Sequence, residues 1–273
     1  MNSYRIYNKR RNFLGNFSIT NKLIFLNIIF YLLSLFVLSF YGDEFFLNNF
    51  ALTPSLILAG ENLWTFLTSM FLHGGFFHLF ANLFSLFFVG NFLEKIIGKV
   101  RFIWVYLVSG LIGGIFFVLS GVIFSNNLPG IGASGAIFGL LGVLAVLVPY
   151  SKIYLIVGPL ILIFIKFALG PFIPIGFAST FNFIINILIF FMIFSMLSFN
   201  PSLRKYSVPL ELPMWLLPII AIVPLTIIEF FVDLLPIGNS AHLGGLVAGL
   251  FYALYLRKKF PRKTKMIMRH FRN

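Results

Sequence analysis

The sequence predicts an all-α protein that crosses a lipid bilayer several times, and three observations predict it. Hydrophobic residues make up 60% of the 273-residue chain and charged residues only 10%, at a mean hydropathy of +1.01, whereas a soluble domain carries about 25% charged residues. The apolar residues fall into runs of roughly 20, the helix length that spans about 30 Å of hydrocarbon. Basic residues collect between alternate runs, the pattern of the positive-inside rule. So little polar surface cannot cover a core in water. The formal charge of +13 does not mark a nucleic-acid-binding face, because it is gathered in the segments that flank the apolar runs. The absence of cysteine removes disulfides, thiolate metal ligands and a thiol nucleophile.

The elements follow in order. A basic cytoplasmic tail, residues 1–21, carries Arg5, Lys9, Arg10 and Arg11 and leads into a first span at 22–41. That span has a basic flank but no small-x-small cleavage pattern, so it is expected to be retained and not removed as a signal peptide. The second, third and fourth spans are 76–97, 102–124 and 131–149. Residues 153–199 are too long for one crossing and are interrupted at Gly170, Pro171 and Pro174, so two are expected there. Spans at 214–235 and 240–256 bring the total to about eight. With the N-terminal tail inside, the inner loops hold Lys95, Lys99 and Arg101, then Lys152, then Arg204 and Lys205, and finally the basic tail 258–273. The outer stretches 42–75, 125–130 and 236–239 contain no Lys or Arg. Lys166, near the outer end of the fifth span, departs from the pattern, and its long stem can snorkel outward. Both termini are therefore expected in the cytoplasm, flanking a membrane domain at 22–257, with the C-terminal tail along the anionic inner leaflet.

Polar groups at span depth cost several kcal/mol unless paired, and are functional candidates for that reason. Three clusters stand out. His78 and Asn82 are four residues apart on one face at the start of the second span. Ser134 begins the fourth, in GIGASGAIFG, and His242 begins the last, in NSAHLGGLVAG. These three spans all run from outside to inside, which puts the clusters at one depth below the outer surface. A serine hydroxyl needs a base to become a nucleophile at neutral pH, and His242 is the candidate on another span. Acyl transfer also needs donors for the oxyanion. Asn82 and His78 offer side-chain N–H groups, and Gly132 permits a tight loop that exposes the N–H groups at the start of the serine helix.

These residues resemble the rhomboid intramembrane serine proteases in the GASG at 132–135, the HLFAN at 78–82 and the AHLGGLVAG at 241–249, which stand in the family's order. The resemblance covers roughly residues 22–149 and 212–257. It implies a six-helix core, Ser134 as nucleophile and His242 as general base in a dyad without an acidic member, and Asn82, His78 and the Ser134 backbone N–H as oxyanion donors. It implies that Phe138, one turn after the serine, stacks on His242, and that Gly132 and Gly135 support the loop and helix start. It further implies that a transmembrane substrate enters sideways, unwinds and presents a small side chain before the scissile bond, with no cofactor or metal. Two departures stand beside it. Trp64 is followed by Thr65, where many members carry a Trp-Arg pair in the outer loop. Residues 150–211 contribute two transmembrane helices beyond the core and are expected to be an insertion.

Rival readings attach to the same residues. Ser134 can be a helix cap, and His78 and Asn82 can bond to each other and to neighbouring backbone. His73 is expected to anchor the outer loop without chemistry. Gly135 with Gly139, and Gly245 with Gly249, are small-xxx-small pairs expected to let helices approach closely. Lys166 and Glu229 lie at matching depths and are expected to pair, while Asp233 and Asn239 near the rim can orient His242, although solvation at a loop is the expected reading. No metal-ligand or phosphate-loop pattern is present. A non-catalytic relative that binds membrane-protein helices is one alternative, and a transporter is another, though the halves lack the internal symmetry a transporter would show. Transmembrane proteins and membrane lipids are the expected partners. The absence of a mitochondrial-type presequence points to a prokaryotic plasma membrane.

Overall fold

The first long apolar run becomes the helix α1 (Ile19–Phe50), which starts where the Ser18 hydroxyl accepts the Asn21 N–H at 3.0 Å. Gly42, at φ 79° and ψ 172°, breaks it internally, one residue beyond the expected end of the first span. The computed structural model describes residues 17–197, 209–231 and 238–272. By contact it divides into two compact units, one formed by Met1–Pro149 and Trp215–Asn273, the other by Tyr150–Met214.

In the first unit α1 is followed by a short helix α2 (Pro54–Leu58) and by α3 (Phe76–Ser85), which continues through a π turn at Leu86–Gly90 into α4 (Asn91–Ile97). Gly98, at φ 82°, separates α4 from α5 (Lys99–Ile123). Helix α6 (Ser134–Leu147) is buried along nearly its whole length. The chain leaves this unit after Pro149 and returns at Trp215, whose N–H bonds the Pro149 carbonyl at 3.1 Å.

Three helices, α5, α6 and the later α10 (Asn239–Lys259), form the packed centre of the unit. Glycine makes their approach possible. A Cβ on Gly245 would overlap the Gly135 carbonyl oxygen, and one on Gly249 would overlap that of Gly139. On the α5 side a Cβ at Gly113 would lie 2.7 Å from the Ala241 carbonyl oxygen. In a bilayer, where lipid tails are as apolar as leucine, such close packing supplies much of the cohesion between helices.

A buried carboxylate ties the first helix to the fourth. Glu94, 6% exposed, accepts the Ile19 N–H at 2.9 Å on one oxygen and the Thr20 N–H and hydroxyl, both at 2.8 Å, on the other. An anion at a helix N-terminus is favoured by the unpaired N–H groups and by the dipole. Glu94→Ala would strand three donors at once, two of them buried, and is expected to lower stability by about 3 kcal/mol, measured as unfolding in detergent micelles. A loss under about 1 kcal/mol would mean that water replaces the carboxylate.

Helix α11 (Pro261–His270) follows α10 directly and turns back on the unit. Thr264 is buried, Phe271 meets Phe92 edge-on at 5.3 Å, and the Arg101 guanidinium lies 5.2 Å over Phe260. Arg262, Lys263, Lys265 and Arg269 remain exposed. One face of the expected basic tail is thus a packed helix face. Helix α9 (Leu217–Phe231) packs on α6 and α10.

The second unit holds β1 (Lys152–Ile156), α7 (Val157–Leu169), α8 (Ile175–Leu197) and β2 (Pro209–Pro213). The break between its helices falls at Gly170–Phe172, inside the Gly170 to Pro174 interruption. The expected fifth span differs from the structure. Its first residues form a strand, because the β-favouring run KIYLI pairs antiparallel with PLELP, Lys152 opposite Pro213 and Ile156 opposite Pro209. The Lys152 ammonium and Glu211 carboxylate meet at 2.6 Å, leaving 13 residues for the helix. Lys166 donates to the Asn186 amide oxygen at 3.1 Å. The side chain of Glu229, its expected partner, and the whole of Asp233 lie outside the described residues.

Among the described residues four helical stretches are long and apolar enough to cross a membrane: Ile19–Phe50, Phe76–Ile97, Lys99–Ile123 and Ile175–Met192. The protein is a polytopic helical membrane protein.

Candidate active site

Ser134 is the first residue of α6, so its N–H has no partner within the helix. His242 lies in the first turn of α10. The close approach of Gly135 to Gly245 brings these helix starts side by side, and the Ser134 Oγ stands 2.7 Å from the His242 Nε2. The His242 ring is buried, at 6% exposure. Phe138, one turn into α6, stacks on it with centroids 4.5 Å apart and planes at 21°.

The second nitrogen of that ring fixes which way the proton lies. Asn239 is buried, and its Oδ1 stands 3.3 Å from the His242 Nδ1. An amide oxygen only accepts, so Nδ1 carries the hydrogen and Nε2 offers its lone pair to the serine hydroxyl. Of the two readings of Asn239, solvation and orientation of His242, the structure favours the second: it turns inward because it opens α10 three residues before the histidine. The i, i+3 spacing at a helix start is the signal that could have placed it.

His78 and Asn82 sit on one face of α3, as their spacing requires. Asn82 is buried and gives one amide hydrogen to the His78 carbonyl at 2.9 Å, which leaves its other hydrogen free to donate. The His78 Nδ1 accepts the Gly74 N–H at 3.4 Å, so the ring's own hydrogen lies on Nε2. That Nε2 faces Gly132. At φ 137° Gly132 adopts a conformation that side chains rarely take, and a Cβ there would lie 2.9 Å from the His78 Nε2 and 3.6 Å from the Ser134 Oγ. The space over this α-carbon is thus bounded by the serine hydroxyl and an imidazole N–H.

The turn Ser69–Phe71, which leads into the loop before α3, and the segment at Leu52 are drawn against the serine loop. The Gly132 N–H bonds the Ser69 carbonyl at 2.8 Å, and Leu52 and Gly130 exchange two backbone bonds at 2.9 Å. His73 does not sit at the loop's surface: it is 3% exposed, with its ring edge-to-face on His78 at 5.1 Å and 70°. Burial first, and His78 second, push its pKa down to about 3 against a weaker pull from the Phe71 backbone, so it is neutral at ordinary pH. Among the described residues no cluster of three or more His, Cys, Asp or Glu side chains could hold a metal ion.

A helical membrane domain with a serine and a histidine hydrogen-bonded across two adjacent helix starts defines a class of membrane proteins with serine-hydrolase-like geometry. The Rhomboid domain model matches residues 60–187 and 185–259, and the chain belongs to the rhomboid family. It is 43% identical over 91 residues to the "Putative rhomboid protease YdcA" of Bacillus subtilis (strain 168), covering 33% of this chain and 43% of that protein. It is 44% identical over 90 residues to the "Rhomboid protease GluP" of the same organism, covering 33% and 17%. It is 45% identical over 82 residues to the "Inactive RHOMBOID-like protein 8" of Arabidopsis thaliana, covering 30% and 22%. The matched stretches span less than half the length of each of these relatives, whose names include both proteases and an inactive protein.

Proposed function

We propose that the chain is an intramembrane serine endopeptidase that cleaves peptide bonds in or near transmembrane segments of other membrane proteins through a Ser134–His242 dyad. The observation that supports it most is the 2.7 Å hydrogen bond between these two side chains, with the histidine tautomer set by Asn239. In the reaction, Ser134 Oγ attacks the scissile carbonyl while His242 Nε2 takes its proton. The resulting oxyanion accepts from the His78 Nε2–H, the free Asn82 amide hydrogen and the Ser134 backbone N–H. His242 then gives its proton to the leaving amine, and water, deprotonated by the same nitrogen, releases the acyl group. Phe138 holds the imidazole from its face. Gly132 and Gly135 keep the oxyanion space and the helix contact open.

In this reading both termini are cytoplasmic, the dyad lies near the outer surface of a prokaryotic plasma membrane, residues 150–211 add two spans to the core, and the exposed cations of α11 face anionic lipid. No cofactor takes part in the steps. The relative named as inactive favours a second reading, a helix-binding protein without hydrolysis. A fluorophosphonate probe on purified protein in detergent separates the two: wild type should label, and Ser134→Ala and His242→Ala should not. A folded wild type that neither labels nor cuts a model transmembrane substrate would leave the helix-binding reading standing. Asn82→Ala is expected to lower kcat about 10²-fold with KM little changed, measured on the same substrate. An unchanged kcat would reduce Asn82 to a helix-bonding residue.

A further inference from the structure

One buried histidine has no part in the steps above. His73 is sealed at 3% exposure; among the described residues neither ring nitrogen meets a partner in good hydrogen-bond geometry, and the Phe71 backbone gives it only a weak interaction. A polar ring in such a place costs free energy that a phenylalanine or leucine would not. What it touches is the imidazole of His78, edge-to-face, with centroids 5.1 Å apart.

The hold on His78 is otherwise slight. Its ring is half-buried, and the Gly74 N–H that fixes its tautomer stands 3.4 Å away, near the long limit of a hydrogen bond. Gly132 lies across from Nε2 without a side chain to brace it. His73 and Gly74 belong to one short loop, and the turn just before it, Ser69–Phe71, is tied to the serine loop by the Gly132 N–H on the Ser69 carbonyl at 2.8 Å. A shift of the His73 ring would therefore disturb the wall beside His78 and the amide that sets its proton together.

We infer that His73 is a positioning residue, an uncharged aromatic wedge whose contact with His78 holds that imidazole with its Nε2–H toward Ser134. The inference rests on the proposal that His78 is an oxyanion donor. A wedge needs a ring and not a titrating group, so His73→Phe should preserve function, while His73→Leu, which keeps the apolar volume but loses the ring, should not.

The chain has four histidines, so ¹⁵N labelling of imidazoles gives a spectrum that single substitutions can assign. In wild type and His73→Phe, His78 should show the Nε2–H tautomer; in His73→Leu it should become a mixture. In parallel, labelling by the fluorophosphonate should fall about 10-fold in His73→Leu and stay within about 3-fold in His73→Phe. Cleavage should lose kcat with KM unchanged, and His73→Leu should add nothing in a His78→Ala background. A His78 tautomer unmoved in folded His73→Leu would overturn the inference, as would a folded His73→Phe whose His78 signal moves as far as that of the leucine variant. If wild type itself never labels, the protease reading fails, and the His78 spectrum still decides whether His73 positions it.

Discussion

Alanine at Ser134, or at His242, is expected to lower the rate of substrate cleavage by about 10⁴-fold or more, and the double variant by little more than the worse single one. In the proposed dyad the two side chains act as a unit. Without the hydroxyl there is no acyl-enzyme, and without Nε2 the hydroxyl keeps its proton and remains a weak nucleophile. The activity that survives would come from the donors at His78, Asn82 and the start of α6, which the substitutions leave in place. Folding should be affected far less than rate. Ser134→Ala removes one hydrogen bond and leaves the buried His242 Nε2 without its partner, a cost of about 1–3 kcal/mol. Initial rates on a transmembrane substrate, beside unfolding curves for the same samples, keep the two effects apart. Single variants whose losses multiplied in the double would show independent contributions and break the dyad assignment.

The placement of these residues was legible because topology is arithmetic. The counted apolar runs and the Lys/Arg pattern predict spans in one direction whose first turns share a depth, and the structure brings the Ser134 and His242 side chains within 2.7 Å of each other. The run Phe76–Ile97 has the same bounds in sequence and structure, since Gly75 and Gly98 stand at its ends and both have positive φ. Hydropathy does not report what happens inside or between apolar runs. The break at Gly42 lies beyond the first run, in a segment still rich enough in helix formers to continue, and only its backbone angle reveals it. The strand Lys152–Ile156 is as apolar as a helix segment would be, and a short apolar run fits either period. Its partner lies more than fifty residues away, which no local pattern contains.

Polar contacts across one turn were the harder part of the site. Asn239 and His73 each border a residue the motifs single out, yet both look like loop residues in sequence, and loops are ordinarily solvated. Asn239 turns inward because α10 begins with it. His73 is buried at 3% exposure in a loop that lies next to the turn bonded through Ser69 to Gly132, and near it Leu52 is bonded to Gly130. Those bonds join segments some sixty to eighty residues apart, a distance over which periodicity carries no information. The Lys166 contact with Asn186 is also absent from the sequence reading, whose pairing of Lys166 with Glu229 falls on a side chain outside the described residues. Within its own unit the two helices are joined by a tight break at Gly170–Phe172, which sets Lys166 beside Asn186 on the antiparallel neighbour.

The glycine contacts between α6 and α10 connect the packing of the bundle to its chemistry, and they carry the second large effect. Gly245→Ala places a Cβ onto the Gly135 carbonyl oxygen, and Gly249→Ala places one onto that of Gly139. The backbones must move apart by about 1 Å or more before such a contact becomes an ordinary one. Overpacking of this kind costs about 1–3 kcal/mol, so both variants should unfold at lower temperature. Their effect on the site should differ. Gly135 follows Ser134 directly and Gly245 lies within one turn of His242, so a displacement there lengthens the 2.7 Å hydrogen bond beyond useful reach. A misplacement of about 1 Å lowers rates on the order of 10²-fold. Gly249 is one turn further along α10, where the helix can tilt about the site, so Gly249→Ala should lose stability with a smaller loss of rate. Gly176, in α8 with open space around it, provides the comparison: alanine there should be neutral or mildly stabilising. Fluorophosphonate labelling rates and unfolding midpoints of the three variants test the ordering. Wild-type labelling by a folded Gly245→Ala would mean that the helices do not meet at Gly135, and the close approach of α6 and α10 could no longer account for how the serine reaches its base.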